Sequence, residues 1–308
     1  MCGIFGYIGP ARPQAALLAQ ALAIKDERRG SHSTGFVVRF RDSVQLTKKA
    51  VRGTKFVAQR HMERLFRRPW TVLLGHNRFA TSGAVTDRNA HPFRVRMSDG
   101  SPAYAVHNGV VPAAELAARF NVAAAAVDSE TYFRAIAARA GRTQESFIKA
   151  LNQVTQVAAQ GGDLAVLWFF PRSKTVYAWR TSRPLYIVDA RSVGLGRWFV
   201  SEREIFVDSW KILGGAVPPI SKVRCFMAST GGIYRVRDDG DYEVEMVADL
   251  DLPKPAASRY FPGLHRNDNG SGGGLLFAAA THRPASIAPE EDEPADDVGF
   301  ELAEGDGP

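Results

Sequence analysis

The second residue of the chain is a cysteine, and an apolar run follows it directly: Cys2-Gly3-Ile4-Phe5-Gly6-Tyr7-Ile8-Gly9-Pro10. A short apolar segment punctuated by glycine and ended by Gly9-Pro10 reads as a buried strand. The core of the fold therefore starts at the amino terminus itself. Removal of Met1, which a small second residue permits, leaves Cys2 with both a thiol and a free α-amine. An α-amine has a reference pKa of about 7.7–8.0. It can take the thiol proton directly or through one water, so the two groups form a complete nucleophile and base. No separate histidine is required.

The rest of the chain alternates in blocks. Residues 13–28, opening on Pro13, read as a helix. Gly35–Phe40 and Ser43–Lys49 read as strands and Thr54–Leu65 as one helix. Thr71–Leu74 and Ala103–Val106 read as strands, the second ending in a His107-Asn108-Gly109 turn. Three helices follow at Ala113–Phe120, Ser129–Ala140 and Glu145–Ala158. Strands are then predicted at Leu164–Phe170, Thr175–Arg180, Leu185–Asp189, Trp198–Ser201 and Val223–Met227, with helical turns near Arg203–Asp208. Ile233–Val236 and Tyr242–Met246 are predicted to close as a hairpin through Asp239-Gly240. Strands, then helices, then strands again predict an α+β fold rather than a βαβ repeat. No GxGxxG or GxxxxGK[ST] pattern occurs, so neither a dinucleotide site nor a P-loop is supported.

Composition narrows the classes further. The 308 residues, 45% hydrophobic and 23% charged, suit an ordinary globular protein of one large or two small domains. Two cysteines, Cys2 and Cys225, exclude a disulfide scaffold and a four-cysteine zinc site. They fit a reducing, cytoplasmic setting. No apolar run approaches the roughly 20 residues that span a bilayer, no signal-peptide pattern opens the chain, and no internal repeat is visible. The net charge of +7 is uneven: residues 290–308 hold nine acids and no Lys or Arg, which leaves 39 basic against 23 acidic residues, +16, on residues 1–289. Asn267–Gly274 reads as a flexible linker and residues 284–308 as a disordered acidic tail.

Six segments carry the chemistry: Cys2-Gly3-Ile4-Phe5-Gly6, Arg29-Gly30-Ser31-His32-Ser33-Thr34-Gly35, Gly75-His76-Asn77-Arg78-Phe79-Ala80-Thr81-Ser82-Gly83, Asn89-Ala90-His91-Pro92-Phe93, His107-Asn108-Gly109-Val110-Val111 and Asp128-Ser129-Glu130. In this order, anchored on a cysteine at position 2, they resemble the class II glutamine amidotransferases, whose glutaminase domain is an N-terminal-nucleophile hydrolase. Glucosamine-6-phosphate synthase and amidophosphoribosyltransferase carry such domains. The resemblance runs from Cys2 to about residue 245. It implies a four-layer αββα sandwich over residues 2–245, with a C-terminal extension at 246–265 and the linker and tail at 266–308.

The same resemblance assigns roles. Cys2 is the expected nucleophile, and Asn108 and Gly109 the expected oxyanion hole. Arg78 is expected to bind the substrate α-carboxylate, with Thr81 as a second donor in its loop, and Asp128 the substrate ammonium. Arg29, Phe79 and His91 are supporting residues. A guanidinium fork suits a carboxylate, and a donor pair on a developing oxyanion is worth about 10²–10³ in rate. Other readings coexist: Arg78 as a surface arginine, Asp128 as the N-cap of the helix near Ser129, and Asn108-Gly109 as a tight turn. His76, His91 and His107 are expected to be structural, and no metal or cofactor is expected. Ser82 stands where a histidine is frequent, and Ser31-His32 where a Tyr-Asp pair is frequent.

About 60 residues follow residue 245, too few for the synthase domain that family members usually add. Three functions follow. The chain supplies ammonia from glutamine to a separate synthase partner, or it is an independent amidohydrolase on a γ-glutamyl compound, or it is a binding protein on this fold. Retention of Cys2, Arg78, Asn108, Gly109 and Asp128 speaks against the last. The Arg/Lys cluster between Arg39 and Arg68 is read as a solvated basic face. Nucleic acid is the alternative partner, but no nucleic-acid-binding motif accompanies the cluster. No membrane partner is expected.

Overall fold

A computed structural model describes residues 1–252. The predicted linker at Asn267–Gly274 and the predicted acidic tail lie outside the described residues. In chain order the elements are β1 (Gly3–Ile8), α1 (Pro13–Lys25), β2 (Ser33–Phe40), β3 (Val44–Lys49), α2 (Gly53–Val57), α3 (Arg60–Arg67), β4 (Trp70–Arg78), β5 (Phe93–Arg96), β6 (Pro102–Val110), α4 (Ala113–Phe120), α5 (Asp128–Arg139), α6 (Gln144–Gly161), β7 (Asp163–Phe170), β8 (Thr175–Arg180), β9 (Tyr186–Asp189), β10 (Arg197–Val200), α7 (Arg203–Ile212), β11 (Arg224–Met227), β12 (Gly232–Arg237) and β13 (Glu245–Asp249).

The strands form two antiparallel sheets, one ordered β11-β9-β10-β1-β4-β2-β3 and the other β13-β12-β8-β7-β6-β5. Side-chain alternation explains how they stack. Ile4 and Ile8 of β1 meet Ala165, Leu167 and Phe169 of β7 in a core between the sheets. Phe5 and Tyr7 of β1 point the other way, into a core shared with α1, α3 and α7. Leu164, Val166 and Trp168 of β7 likewise face α4, α5 and α6. Two sheets between two helical layers make the expected four-layer αββα arrangement. Because both faces of the central strands are buried, these strands read as continuous apolar runs and were legible in the sequence.

The differences from expectation have physical causes. The helix expected over Thr54–Leu65 is two helices, broken where Gln59 adopts an extended backbone, which lets Phe56, Met62 and Leu65 all bury. β4 does not stop at Leu74. It continues through Gly75-His76-Asn77-Arg78, paired with β1 on one side and β2 on the other, so four residues without aliphatic character lie in a central strand. The expected His107-Asn108-Gly109 turn is absent: these residues remain in β6, with Asn108 opposite Ala165 and Gly109 opposite Leu164. β5 was not expected, and the turns near Arg203 are a full helix, α7. The closing hairpin pairs β12 with a strand shifted to Glu245–Asp249, so the sheet continues past residue 245. Among the described residues no helix is long and apolar enough to cross a membrane.

Leu167 is fully buried between the sheets, against Gly6 of β1. Leu167→Ala is expected to lower unfolding free energy by about 2–5 kcal/mol, the range for a buried leucine truncation. Urea denaturation measures it, and a loss within error of zero would show that the sheets are not packed through this residue.

Candidate active site

The start of β1, the end of β4 and the end of β6 meet at one end of the sandwich. Gly3 pairs with Asn77 and Ile4 with His76. His76 Nε2 then donates across to the other sheet, to the carbonyl oxygen of His107, at 3.0 Å. This brings the residue before β1, Cys2, to the same end as Asn108 and Gly109. The alternation of β1 puts Cys2 on the face of Ile4, the side between the sheets. Cys2 Sγ accepts from the Phe79 N–H at 3.3 Å and lies 3.5 Å from the Phe79 carbonyl oxygen. Burial pushes the thiol above its ordinary pKa, against the pull of the Phe79 N–H, the chain's amino terminus and Arg78. The resting group is a protonated thiol, which requires a base.

Asn108 is 1% exposed, and its side-chain nitrogen has no hydrogen-bond partner among the described residues. A buried amide donor left unpaired costs roughly 1–3 kcal/mol, so a ligand oxygen at this position would relieve that cost. Gly109 has φ +145°, and a Cβ there would lie 1.9 Å from the Asp163 carbonyl oxygen, so glycine is required. Behind these two residues, His91 stacks on His76 with ring centroids 3.9 Å apart, and His107 Nδ1 pairs with Ser129 Oγ at 2.8 Å. Burial pushes His76 down to about 3, and holds His91 and His107 below their ordinary values. All three are neutral rings filling the space between sheets and helices.

The polar residues of the loop after β4 are arranged differently from a simple open pocket. Arg78 is buried, and its guanidinium donates to the carbonyls of Ser82, Gly83 and Ala84. Asp128, at the start of α5, accepts from the Val111 N–H at 3.0 Å and from the Ser82 hydroxyl at 3.2 Å. Ser82, which the sequence marked only as a departure, thus links the arginine loop to the acid. Thr81 is exposed and makes no hydrogen bond among the described residues. Cys2 and Arg78 lie close enough to perturb each other's charge, and Asp128 is close enough to act on both. Phe79 is 45% exposed and stacks on His32, whose Nδ1 accepts from the Ala80 N–H at 2.9 Å. His32 therefore steadies the two residues beside the thiol.

Beneath the nucleophile lies a buried charge cluster. Arg29 Nε donates to the Cys2 carbonyl oxygen at 2.9 Å, and its Nη1 pairs with Glu202. Asp26 packs against Gly3, with neither carboxyl oxygen hydrogen-bonded among the described residues. Burial pushes Asp26 up to about 7, partly offset by Arg29. Neither Asp26 nor Glu202 was singled out from sequence. Asp26 sits at the carboxyl end of an alanine-rich helix, where an acid reads as solvated, and Glu202 is 173 residues from its partner.

No protein-family model matches the chain. Curated relatives do. The glutamine–fructose-6-phosphate aminotransferase (isomerizing) of Tropheryma whipplei is 31% identical over 196 residues, 61% of this chain and 30% of that protein. The amidophosphoribosyltransferase of Rhizobium etli is 27% identical over 168 residues, 50% of this chain and 31% of that protein. The chain thus spans about a third of the length of these relatives. Among solved structures, the allosteric regulatory enzyme of purine biosynthesis superposes with a TM-score of 0.61 at 18% identity, covering 82% of this chain and 50% of that one. The glutamine phosphoribosylpyrophosphate amidotransferase of B. subtilis gives 0.59 at 18% identity, covering 80% and 49%. The described body thus has the fold of these amidotransferases, and its sequence is similar to about a third of each curated relative.

Asp26 generates a stability prediction. Its folded pKa lies above the unfolded value of 3.8, so the native state holds a proton that the unfolded state releases first. Stability therefore falls as pH rises from about 4 to about 7, by on the order of 4 kcal/mol at most. Asp26→Asn removes the titration. Its melting temperature is expected to exceed that of wild type at pH 8 and to match it near pH 4. Parallel melting curves at both pH values would contradict the buried carboxyl.

Proposed function

We propose that the chain is a glutaminase that releases ammonia from the side-chain amide of glutamine through a Cys2 thioester. The observation that supports this most is the unpaired, buried side-chain nitrogen of Asn108 beside Gly109, at the end of the sandwich where the Cys2 thiol lies. After loss of Met1, the Cys2 α-amine takes the thiol proton, a role the neutral histidines do not fill. The thiolate attacks the amide carbon, and the oxygen that gains charge is held by Asn108 and the Gly109 N–H. The α-ammonium returns the proton to the leaving nitrogen, which departs as ammonia. Water then attacks the thioester and restores the thiol with glutamate as product, the amine serving again as base.

In this reading Arg78 and Asp128 hold the α-carboxylate and the α-ammonium of glutamine, at the end remote from the reacting amide. Its carboxylate takes guanidinium donors now engaged by the loop carbonyls, so binding and loop rearrangement are linked. Ammonia then passes to a separate synthase partner. The name of one relative, a glutamine–fructose-6-phosphate aminotransferase, supports that step, since it pairs glutamine with an acceptor. Rapid, steady glutamate release by the isolated chain would favour simple hydrolysis instead.

Met1-processed protein is expected to convert glutamine to glutamate, with no turnover for Cys2→Ala. Asn108→Ala is expected to lower kcat by about 10²–10³ with little change in KM, because its contact strengthens only as the oxyanion forms. Steady-state assays of glutamate release read both numbers. Asn108→Ala turning over like wild type would sink the oxyanion assignment, and activity in Cys2→Ala would sink the nucleophile.

A further inference from the structure

A cavity of the described body lies well away from Cys2. It lies past the other end of β1, next to Pro10, about 20 Å along the strand from the nucleophile. Its volume is about 740 Å³, within the range of small-molecule sites. The loops after β9, before β11 and before β13 form its walls.

Four features of this cavity point to an anionic ligand. Lys222 and Arg224 line one wall, and among the described residues neither side chain makes an ion pair or a hydrogen bond. Asp189, the cross-strand partner of Arg224, is already neutralised: Arg191 and the buried Arg197 share Asp189 and Glu243. Of the other lining residues only Asp241 adds negative charge, so the two free cations leave the cavity with a positive excess. Gly194 and Gly240, with φ +74° and +99°, keep the rim free of side chains, and a Cβ at either would meet nothing within 4 Å. Open glycine turns next to free cations leave the side-chain donors accessible to phosphate oxygens. Finally, Tyr242 lines the cavity with φ +51°, a conformation unfavourable to tyrosine, and its hydroxyl has no partner among the described residues. Strain of this kind collects at ligand-holding positions.

We propose that this cavity is a second site, independent of the glutaminase reading, that binds a small phosphate-bearing molecule. Lys222 and Arg224 supply the charge that holds the phosphate. The Tyr242 and Ser221 hydroxyls, which the structure leaves unengaged, contact the rest of the ligand.

The test is isothermal titration of the full chain at low salt with inorganic phosphate, a hexose phosphate and a nucleoside diphosphate, each set against its unphosphorylated counterpart. At least one phosphate compound is expected to bind saturably at micromolar to millimolar concentration, with no binding of the counterpart. Binding of inorganic phosphate alone identifies the source as free phosphate. Binding of only one organic phosphate identifies which scaffold the cavity takes. The double variant Lys222→Glu, Arg224→Glu is expected to weaken binding by about tenfold or more, with an unchanged circular dichroism spectrum. Arg64→Glu, on the remote helix α3, is expected to bind as wild type. No saturable binding of any phosphate compound overturns the proposal, as does a folded double variant that binds like wild type.

Discussion

The pairing of β1 between β4 and β10 fixes where the amino terminus can be, and the rest of the site is built around that position. Gly3 opposite Asn77 and Phe5 opposite Val200 hold the first residues of the chain in the middle of a seven-stranded sheet. A terminus anchored by strand pairing has little of the freedom that chain ends usually keep. Cys2 therefore meets the Phe79 backbone in a set geometry, near enough to Arg78 to feel its charge. Arg29, reaching from the turn after α1 to the Cys2 carbonyl, secures the same residue from below.

Electrostatics complete the arrangement. The three imidazoles at the site are buried and neutral, and the thiol is held protonated. Among the groups that touch the thiol, none is a base at neutral pH. An α-amine released by loss of Met1 would fill that gap with a group whose reference pKa of about 7.7–8.0 is near working pH. The unpaired Asn108 nitrogen and the unpaired Asp26 carboxyl both leave polar atoms unsatisfied in the core. A ligand oxygen would pair the first, while a proton removes the buried charge of the second, so one is tied to binding and the other to pH.

Much of this was visible in the sequence, and the part that was not has a common physical reason. Strands such as β7 and β8 are buried on both faces, so Leu164–Phe170 and Thr175–Arg180 announce themselves as apolar runs. The polar ends of β4 and β6 do not. His76-Asn77-Arg78 and His107-Asn108-Gly109 look like loops and turns because polar residues in a central strand make sense only once the opposing strands supply partners. The motif residues were legible because each lies within a short contiguous segment. Their supports were not: Ser82 to Asp128, His32 to Ala80 and Arg29 to Glu202 join segments 46, 48 and 173 residues apart. Local patterning carries no record of such long-range pairs.

The central claim is that Cys2, freed of Met1, is the nucleophile of a site shaped for glutamine. Its most direct test is the reaction of the processed protein with a glutamine analogue carrying an electrophilic carbon in place of the amide, followed by peptide mass spectrometry. The account predicts one adduct per chain, on Cys2, formed more slowly when glutamine competes and more slowly still in Arg78→Ala. Modification of Cys225 at an equal rate, or labelling of Cys2 that glutamine does not slow, would contradict it.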